Sequence, residues 1–362
     1  MSILIAGGGT GGHIYPAISI ARAIQQMDPD EKIDFVGTPT GLESQLVPRA
    51  GFQIHYISIG KLNSNVPLFE RIKTLIQLPF AIIKAFILLL KIRPRAVIGV
   101  GGYASGPIVF AAALMGFRTF IWEPNAYPGL ANRILARFVD KCLVVFEEAA
   151  RFLHNKNVIR VHMPVRKEIE ALGQFPQTAS GNEFRLLVFG GSQGARALNN
   201  ALIEALKKGG AWSKKIRIVH QTGATDYERV RSEYDKLGEI SSQVEVRDYL
   251  HDMPERLKWA HLILARSGTG TISELAASGR GAILVPLPTA ADDHQTKNAE
   301  ALVKIGGAIL LPQKELTAER LIREIETFEG APQKLTALAN KIRDFHKPQA
   351  ANEIAKIILA LN

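Results

Sequence analysis

The strongest constraint on the fold is one unit that occurs twice: a short apolar run, a glycine-rich loop, then a helical pattern. It opens the chain as Ser2-Ile-Leu-Ile-Ala6 followed by Gly7-Gly-Gly-Thr-Gly-Gly12. It begins again as Arg185–Phe189 followed by Gly190-Gly-Ser-Gln-Gly-Ala195. A buried strand that enters a helix through glycines is the first β-α step of a doubly wound parallel sheet. The restart therefore predicts two such domains in tandem, and 362 residues suit two domains that each bury a full core. Further strands are expected at Ile33–Val36, Ala96–Val100, Thr119–Trp122 and Cys142–Phe146, then at Ile216–His220, Val244–Val246, Leu262–Ala265, Ile283–Val285 and Ile309–Leu311. Residues Gly173 to Glu183 carry Pro, Gly, Ser, Thr and Asn with little apolar material, and read as the linker. Ligands of such sheets gather at the carboxyl ends of the strands, so two facing domains make a cleft.

Glycines let backbone N–H groups approach an anion, and a helix N-terminus adds a favourable field. Besides the two loops above, Gly99-Val-Gly-Gly-Tyr-Ala-Ser-Gly106 and Arg266-Ser-Gly-Thr-Gly-Thr271 also follow strands. Four such loops suggest two phosphorylated ligands. Gly7, Gly9 and Gly12 satisfy the nicotinamide-dinucleotide pattern. That pattern also requires an acid at the end of the second strand, which here ends Val36-Gly37-Thr38. His13 reads either as a brace of the first helix or as a proton-transfer or phosphate group. Glu274, three residues after Thr271, reads either as half of a capping box or as an acceptor for sugar hydroxyls. Asp28-Pro-Asp30 reads as a surface turn, and no His or Cys cluster has metal spacing. The single cysteine, Cys142, lies in an apolar run and reads as core in a reducing compartment.

The net charge of +10 draws the chain to polyanions. No nucleic-acid motif is present and the aromatics are not interleaved with basic runs, which favours lipid and phosphate over nucleic acid. No signal peptide is expected at the N-terminus. Residues Val66 to Arg95 combine Arg71, Lys73, Lys84, Lys91, Arg93 and Arg95 with a dense apolar content. The greasiest stretch, Leu75 to Leu90, contains Pro79 and Lys84, which argue against a membrane span. Helices of this kind can lie in a lipid interface. About half of the apolar residues are expected to face the core instead.

With these loops in place, the chain resembles the peptidoglycan N-acetylglucosaminyltransferases called MurG, from residue 1 to about residue 345. The resemblance rests on Gly8-Gly-Thr-Gly-Gly-His13 with Pro16, Gly101-Gly-Tyr-Ala-Ser-Gly-Pro107, Glu123-Pro-Asn125 with Gly129-Leu-Ala-Asn132, Gly190-Gly-Ser-Gln-Gly-Ala-Arg196, Arg266-Ser267-Gly268 through Glu274, and Asp292-Asp-His-Gln295 with Asn298. It departs from the family at Met163, where Asn usually precedes Pro-Val-Arg, and at Trp122 and Pro124, where His and Gln usually surround the Glu.

The resemblance implies an α/β GT-B fold of two doubly wound Rossmann-like domains facing across a cleft. Residues 1–163 would bind the acceptor and the membrane, and 164–344 the UDP-sugar. The helix of about 345–362 would pack back on the first domain. It implies transfer of N-acetylglucosamine, with inversion, from UDP-N-acetylglucosamine to undecaprenyl-pyrophosphoryl-N-acetylmuramyl-pentapeptide (lipid I), giving lipid II. Ser192 in the Gly190–Gly194 loop would contact the diphosphate. Thr269, Gly270, Thr271, Ile272, Ser273 and Glu274 would reach diphosphate and ribose. Leu250 would offer backbone to uracil, and Gln295 would bind the transferred sugar. Thr10, Gly11, Gly12, Asn125 and Arg166 complete the donor set, with His13 the candidate base or acceptor-phosphate ligand. The implied place is the cytoplasmic face of the bacterial inner membrane, held peripherally by an anionic surface, with other cell-wall proteins as candidate partners.

The implied chemistry fits the loops. Departing UDP gains negative charge, which loop N–H groups and helix N-termini stabilise without a metal or other cofactor. Three rivals remain at this point: a related transferase acting on a membrane lipid such as diacylglycerol, a nicotinamide oxidoreductase, and a non-catalytic scaffold.

Overall fold

The computed structural model describes residues 2–9, 11–60, 66–174, 183–191 and 193–360. The chain divides into two compact units, Met1–Pro164 with Gln349–Asn362, and Val165–Pro348.

In the first unit the chain runs β1 (Ser2–Ala6), α1 (Gly11–Met27), β2 (Lys32–Gly37), α2 (Glu43–Arg49), β3 (Gln53–Tyr56), α3 (Leu68–Ile92), β4 (Ala96–Gly99), α4 (Ser105–Leu114), β5 (Arg118–Glu123), α5 (Leu130–Leu135), β6 (Lys141–Val144) and β7 (Val158–Arg160). In the second it runs α6 (Lys167–Glu170), β8 (Phe184–Phe189), α7 (Arg196–Lys208), β9 (Ile216–Gln221), α8 (Tyr227–Asp235), β10 (Val244–Arg247), α9 (Met253–Trp259), β11 (Leu262–Ala265), α10 (Thr269–Ser278), β12 (Ala282–Leu284), α11 (His294–Lys304), β13 (Ile309–Leu310), α12 (Ala318–Glu329) and α13 (Pro332–Arg343). The last helix, α14 (Ala350–Leu359), returns to pack on α1.

Both sheets are parallel. The first has the order β3-β2-β1-β4-β5-β6-β7 and the second β10-β9-β8-β11-β12-β13. Helices cover both faces, so the inner strands are largely apolar; all five residues of β1 are buried. The strand order reverses direction between β1 and β4 in the first sheet, and between β8 and β11 in the second. Loops leaving the two strands at such a switch point diverge and open a crevice. That sets the loops that leave β1 and β4 side by side, and likewise those that leave β8 and β11.

The expected strands are present. Two more, β3 and β7, lie at the edges of the first sheet, where Gln53-Ile-His-Tyr56 and Val158-Ile-Arg160 are only partly covered and carry little apolar signal. Asp28 to Glu31 form the expected turn, closed by Glu31 N–H on the Asp28 carbonyl at 3.1 Å. Cys142 is a buried core thiol, its pKa pushed up by burial to about 12.

Two readings need correction. The change of unit comes at Pro164–Val165, ahead of the predicted linker. Gly173 belongs to the second unit, where a Cβ would stand 2.6 Å from the Ala277 carbonyl oxygen of α10; residues 175–182 lie outside the described residues. The second correction concerns α3, which is one helix of 25 residues with Pro79 inside it. By length and composition alone it could cross a membrane. It packs along α4, and its buried residues are few and mostly small: Thr74, which lies against Gly60, with Ala81, Ala85 and Leu89. As expected, the apolar residues divide between core and surface: Ala81, Ala85 and Leu89 are buried and Phe86, Leu88 and Ile92 pack partly on the core, while Phe69, Ile72, Leu75, Ile76, Phe80, Ile83, Ile87 and Leu90 are exposed.

Candidate active site

The crevice of the first unit is built from two interlocked loops. Gly7 N–H donates to the Val36 carbonyl at 2.9 Å and Gly8 N–H to the Gly101 carbonyl at 3.1 Å. Gly101 and Gly102 adopt φ of 96° and 83°, a left-handed region that favours glycine. A Cβ on Gly101 would come within 2.7 Å of Nδ1 of His13, so this glycine leaves the space in which the imidazole lies. His13 is half-buried in the first turn of α1. The Gly99–Gly106 loop thus forms the wall of the first loop rather than a separate cradle.

Glu43, which the sequence reading passed over, holds this crevice from below. Its carboxylate, 1% exposed, accepts Gly9 N–H on Oε2 at 2.8 Å. Its Oε1 accepts both the N–H and the hydroxyl of Thr38, each at 2.8 Å. The residue lies just past β2, close to where a nicotinamide fold carries its ribose-binding acid, but it binds backbone instead. With Gly7, Gly8 and Gly9 N–H groups engaged internally, the first-turn amides of α1 at Gly11 and Gly12 are the donors left to a ligand. Thr10 lies outside the described residues.

Asn125 is set by Glu123, a fully buried carboxylate at the end of β5. Glu123 Oε1 accepts from the Asn125 backbone at 2.9 Å and its amide at 3.1 Å, and Oε2 accepts from Gly129 N–H at 3.0 Å and the Asn132 amide at 2.9 Å. Burial raises its pKa, and these four donors pull it back. Glu123 is therefore a fixed hub that shapes the Asn125 loop. The three departures, Trp122, Pro124 and Met163, are all buried.

The second unit brings five pieces to the carboxyl edge of its sheet. Gly191 and Gly194, with φ of 85° and 72°, turn the loop after β8, and Gly194 N–H closes it on the Gly191 carbonyl at 2.9 Å. Ser192 lies outside the described residues. Beside that loop, α10 starts at Thr269 with Gly268 as its N-cap. Its first intrahelical bond runs from Ile272 N–H to the Gly268 carbonyl at 3.0 Å, so the first-turn N–H groups ahead of it point out of the helix start. The Thr269, Ile272 and Ser273 side chains are buried, and Asn298 donates to Thr269 Oγ1 at 3.2 Å. Those positions can reach a ligand through backbone, while Thr271 and Glu274 remain partly open.

The capping-box reading of Glu274 falls. The cap is Gly268, and Glu274 sits in the second turn, where its Oε1 receives Arg166 Nη2 at 2.9 Å. Burial raises the Glu274 pKa and the Arg166 guanidinium draws it down, with burial the larger effect. Leu250 follows β10 and is buried; its N–H donates to Gln221 Oε1 at 3.1 Å. Gln295, in the first turn of α11, accepts Leu287 N–H on Oε1 at 3.0 Å and holds the Ser267 hydroxyl on its carbonyl at 2.8 Å. Arg266 turns away from the crevice: it is buried against the Val285 and Pro286 carbonyls and Gln313.

Comparison with known proteins agrees with this layout. Residues 3–144 match the glycosyltransferase family 28 N-terminal domain and residues 185–356 its C-terminal domain. The UDP-N-acetylglucosamine–N-acetylmuramyl-(pentapeptide) pyrophosphoryl-undecaprenol N-acetylglucosamine transferase of Bdellovibrio bacteriovorus is 48% identical, over 99% of this chain and 98% of its own length. The protein of the same name from Myxococcus xanthus is 38% identical, over 100% and 93%. The crystal structure of Acinetobacter baumannii MurG superposes with a TM-score of 0.81 at 29% identity, covering 99% of this chain and 98% of that one. The chain belongs to the MurG family. Its fold is GT-B, and the chain is a glycosyltransferase; the oxidoreductase reading is set aside.

Against the MurG resemblance, the sequence reading missed two residues of structural weight at these crevices, Glu43 and Gln221. Only the fold gathers Gly8, Gly37 and Gly41 around Glu43, where a Cβ on any of the three would collide with its side chain. Gln221 had only its place at the end of a predicted strand.

Proposed function

We propose that this chain transfers N-acetylglucosamine from UDP-N-acetylglucosamine to the lipid-linked N-acetylmuramyl-pentapeptide, with inversion, forming lipid II for peptidoglycan synthesis. The observation that carries this is near-half identity to a transferase of that name along the whole of both chains. The site geometry supports assigned roles. The second unit binds the donor: the Gly190–Gly194 loop, Ser192 and the first turn of α10 take the diphosphate, Leu250 the uracil, Glu274 the ribose hydroxyls beside Arg166, and Gln295 the transferred sugar. Thr10, Gly11, Gly12 and Asn125 of the first unit complete the set.

These groups stabilise departing UDP through amides already oriented at the loop and helix start, which need no rearrangement as charge develops. His13, in the first turn of α1, takes the proton of the acceptor hydroxyl or holds its pyrophosphate. The exposed face of α3 supports peripheral attachment to the anionic cytoplasmic leaflet, near a lipid-borne acceptor. An open groove of about 500 Å³ beside α5, lined by Arg133, Arg137, Arg151 and His154 among Leu130, Ile134, Phe138 and Phe152, adds cations and apolar surface to the same unit. Other cell-wall synthesis proteins are candidate partners on the same membrane.

The test is transfer of radiolabel from UDP-N-acetylglucosamine to a lipid-linked muramyl-pentapeptide, with UDP-N-acetylgalactosamine and UDP-glucose as competitors. Labelled disaccharide-lipid is the expected product. Turnover on diacylglycerol with none on the muramyl acceptor would overturn the assignment.

A further inference from the structure

Gln221 ends β9 with its side chain 2% exposed, and both ends of its amide are engaged. Nε2 donates to the Gly191 carbonyl at 2.8 Å, and Oε1 accepts Leu250 N–H at 3.1 Å. Its two partners lie 30 residues before it and 29 after it. One is in the loop assigned to the diphosphate, the other in the loop assigned to the base. We propose that Gln221 is a positioning residue that holds these two loops at one fixed spacing, so that the phosphate and uridine ends of the donor are bound as a unit. This rests on the donor-site reading above.

The strand end that carries Gln221 is itself rigid. His220, on the opposite face of β9, is buried between Tyr234, at 2.8 Å from Nδ1, and Asn199, at 3.0 Å from Nε2. Asn199 also donates to the Thr222 carbonyl at 3.1 Å and to Asp226 at 2.7 Å. Thr222 and Gly223 then press on the glycine loop: a Cβ on Gly223 would stand 2.7 Å from Gly194 N. Thr222 N–H donates to the Arg247 carbonyl at 2.9 Å and Gly223 N–H to the Asp248 carbonyl at 3.1 Å, which ties the same turn to the segment leading into Leu250. A nucleoside diphosphate spans both loops at once. Pre-set spacing lowers the ordering cost of binding it, which favours the intact diphosphate over either half.

Two variants separate coupling from simple filling. Gln221→Glu keeps an acceptor for Leu250 N–H but sets a carboxylate oxygen against the Gly191 carbonyl. Gln221→Met keeps the volume and removes both bonds. Titration calorimetry with UDP and with uridine is run on both variants, alongside donor KM and kcat. A hydrogen bond of this kind is worth up to about tenfold in affinity. For Gln221→Glu the UDP affinity is expected to fall about tenfold while uridine stays within about twofold. For Gln221→Met both affinities fall, and donor KM rises with kcat at saturating donor little changed. A UDP-to-uridine affinity ratio equal to wild type in Gln221→Glu, or a Gln221→Met protein with wild-type donor KM, overturns the proposal and leaves Gln221 a packing residue. Wild-type protein that binds neither UDP nor UDP-N-acetylglucosamine overturns the donor-site reading itself, and the proposal with it.

Discussion

The Glu274 carboxylate is under two opposing influences, burial that raises its pKa and the Arg166 guanidinium that lowers it. As an acceptor for ribose hydroxyls it must be ionised. Affinity for UDP should therefore fall on acidification at a pH above the ordinary carboxylate range. Replacing Arg166 by Gln removes the opposing cation, so that midpoint should move to still higher pH. Folding runs the other way. A raised native pKa means the folded state holds the proton more tightly, so this group's contribution to stability improves as pH falls through the native pKa. Fluorescence titration of UDP across pH, beside thermal melts, separates the two; parallel curves would make Glu274 structural only. His13 gives a second test. His13→Ala should abolish most turnover while UDP affinity stays near wild type, because the imidazole lies in the first unit against Gly101. A large loss of UDP affinity would assign His13 to the donor. His13 and Glu274 could be singled out because they stand beside glycine loops in sequence, and Gln295 only through the family resemblance. Glu43 and Gln221 could not, because each acts on backbone groups brought to it by other strands, and only the folded register supplies those partners.

At the scale of elements, the inner strands were legible because burial on both faces leaves a continuous apolar run, as in Ser2–Ala6 and Leu262–Ala265. Edge strands β3 and β7 escaped because half-covered strands need no such run. The helix α3 was misjudged for a different reason. Pro79 removes one hydrogen bond, which costs about 3 kcal/mol in a helix interior, yet flanking turns and packing along α4 hold the helix through it. The buried residues of α3 are few and mostly small, so they make a prediction of their own. Ala85→Leu should overpack this buried side and lower the stability of the first unit by about 1–3 kcal/mol. Ile87→Ser, on the exposed face, should leave stability within about 0.5 kcal/mol. Urea midpoints check both. Equal losses would mean that the outer face is covered in solution, against its 62% exposure at Ile87.

For the whole molecule, a net charge of +10 and an apolar helix face act together, and neither is explained by catalysis at the glycine loops. On the proposed function the acceptor sugar is tethered by a pyrophosphate to a lipid, which would bring the enzyme close to headgroups. Among the cations of this segment, Arg95 is already engaged, with Nη1 at 2.7 Å from Glu31. Lys73, Lys84 and Lys91 are exposed along α3 and make no ion pair among the described residues. Each lysine near an anionic surface contributes about 1 kcal/mol, and the apolar face adds affinity that salt does not screen. The triple variant Lys73→Gln, Lys84→Gln, Lys91→Gln should therefore bind anionic vesicles about 100-fold more weakly at low salt, with a flatter dependence on ionic strength. Neutral vesicles should discriminate little between the two proteins, because the apolar face is unchanged. Transfer to a short-chain, water-soluble acceptor should match wild type, since no glycine-loop residue is altered. Sedimentation with vesicles and the soluble assay are run on the same preparations. Wild-type binding by the variant would place the membrane face elsewhere, and loss of activity on the soluble acceptor would make α3 a structural element of the first unit.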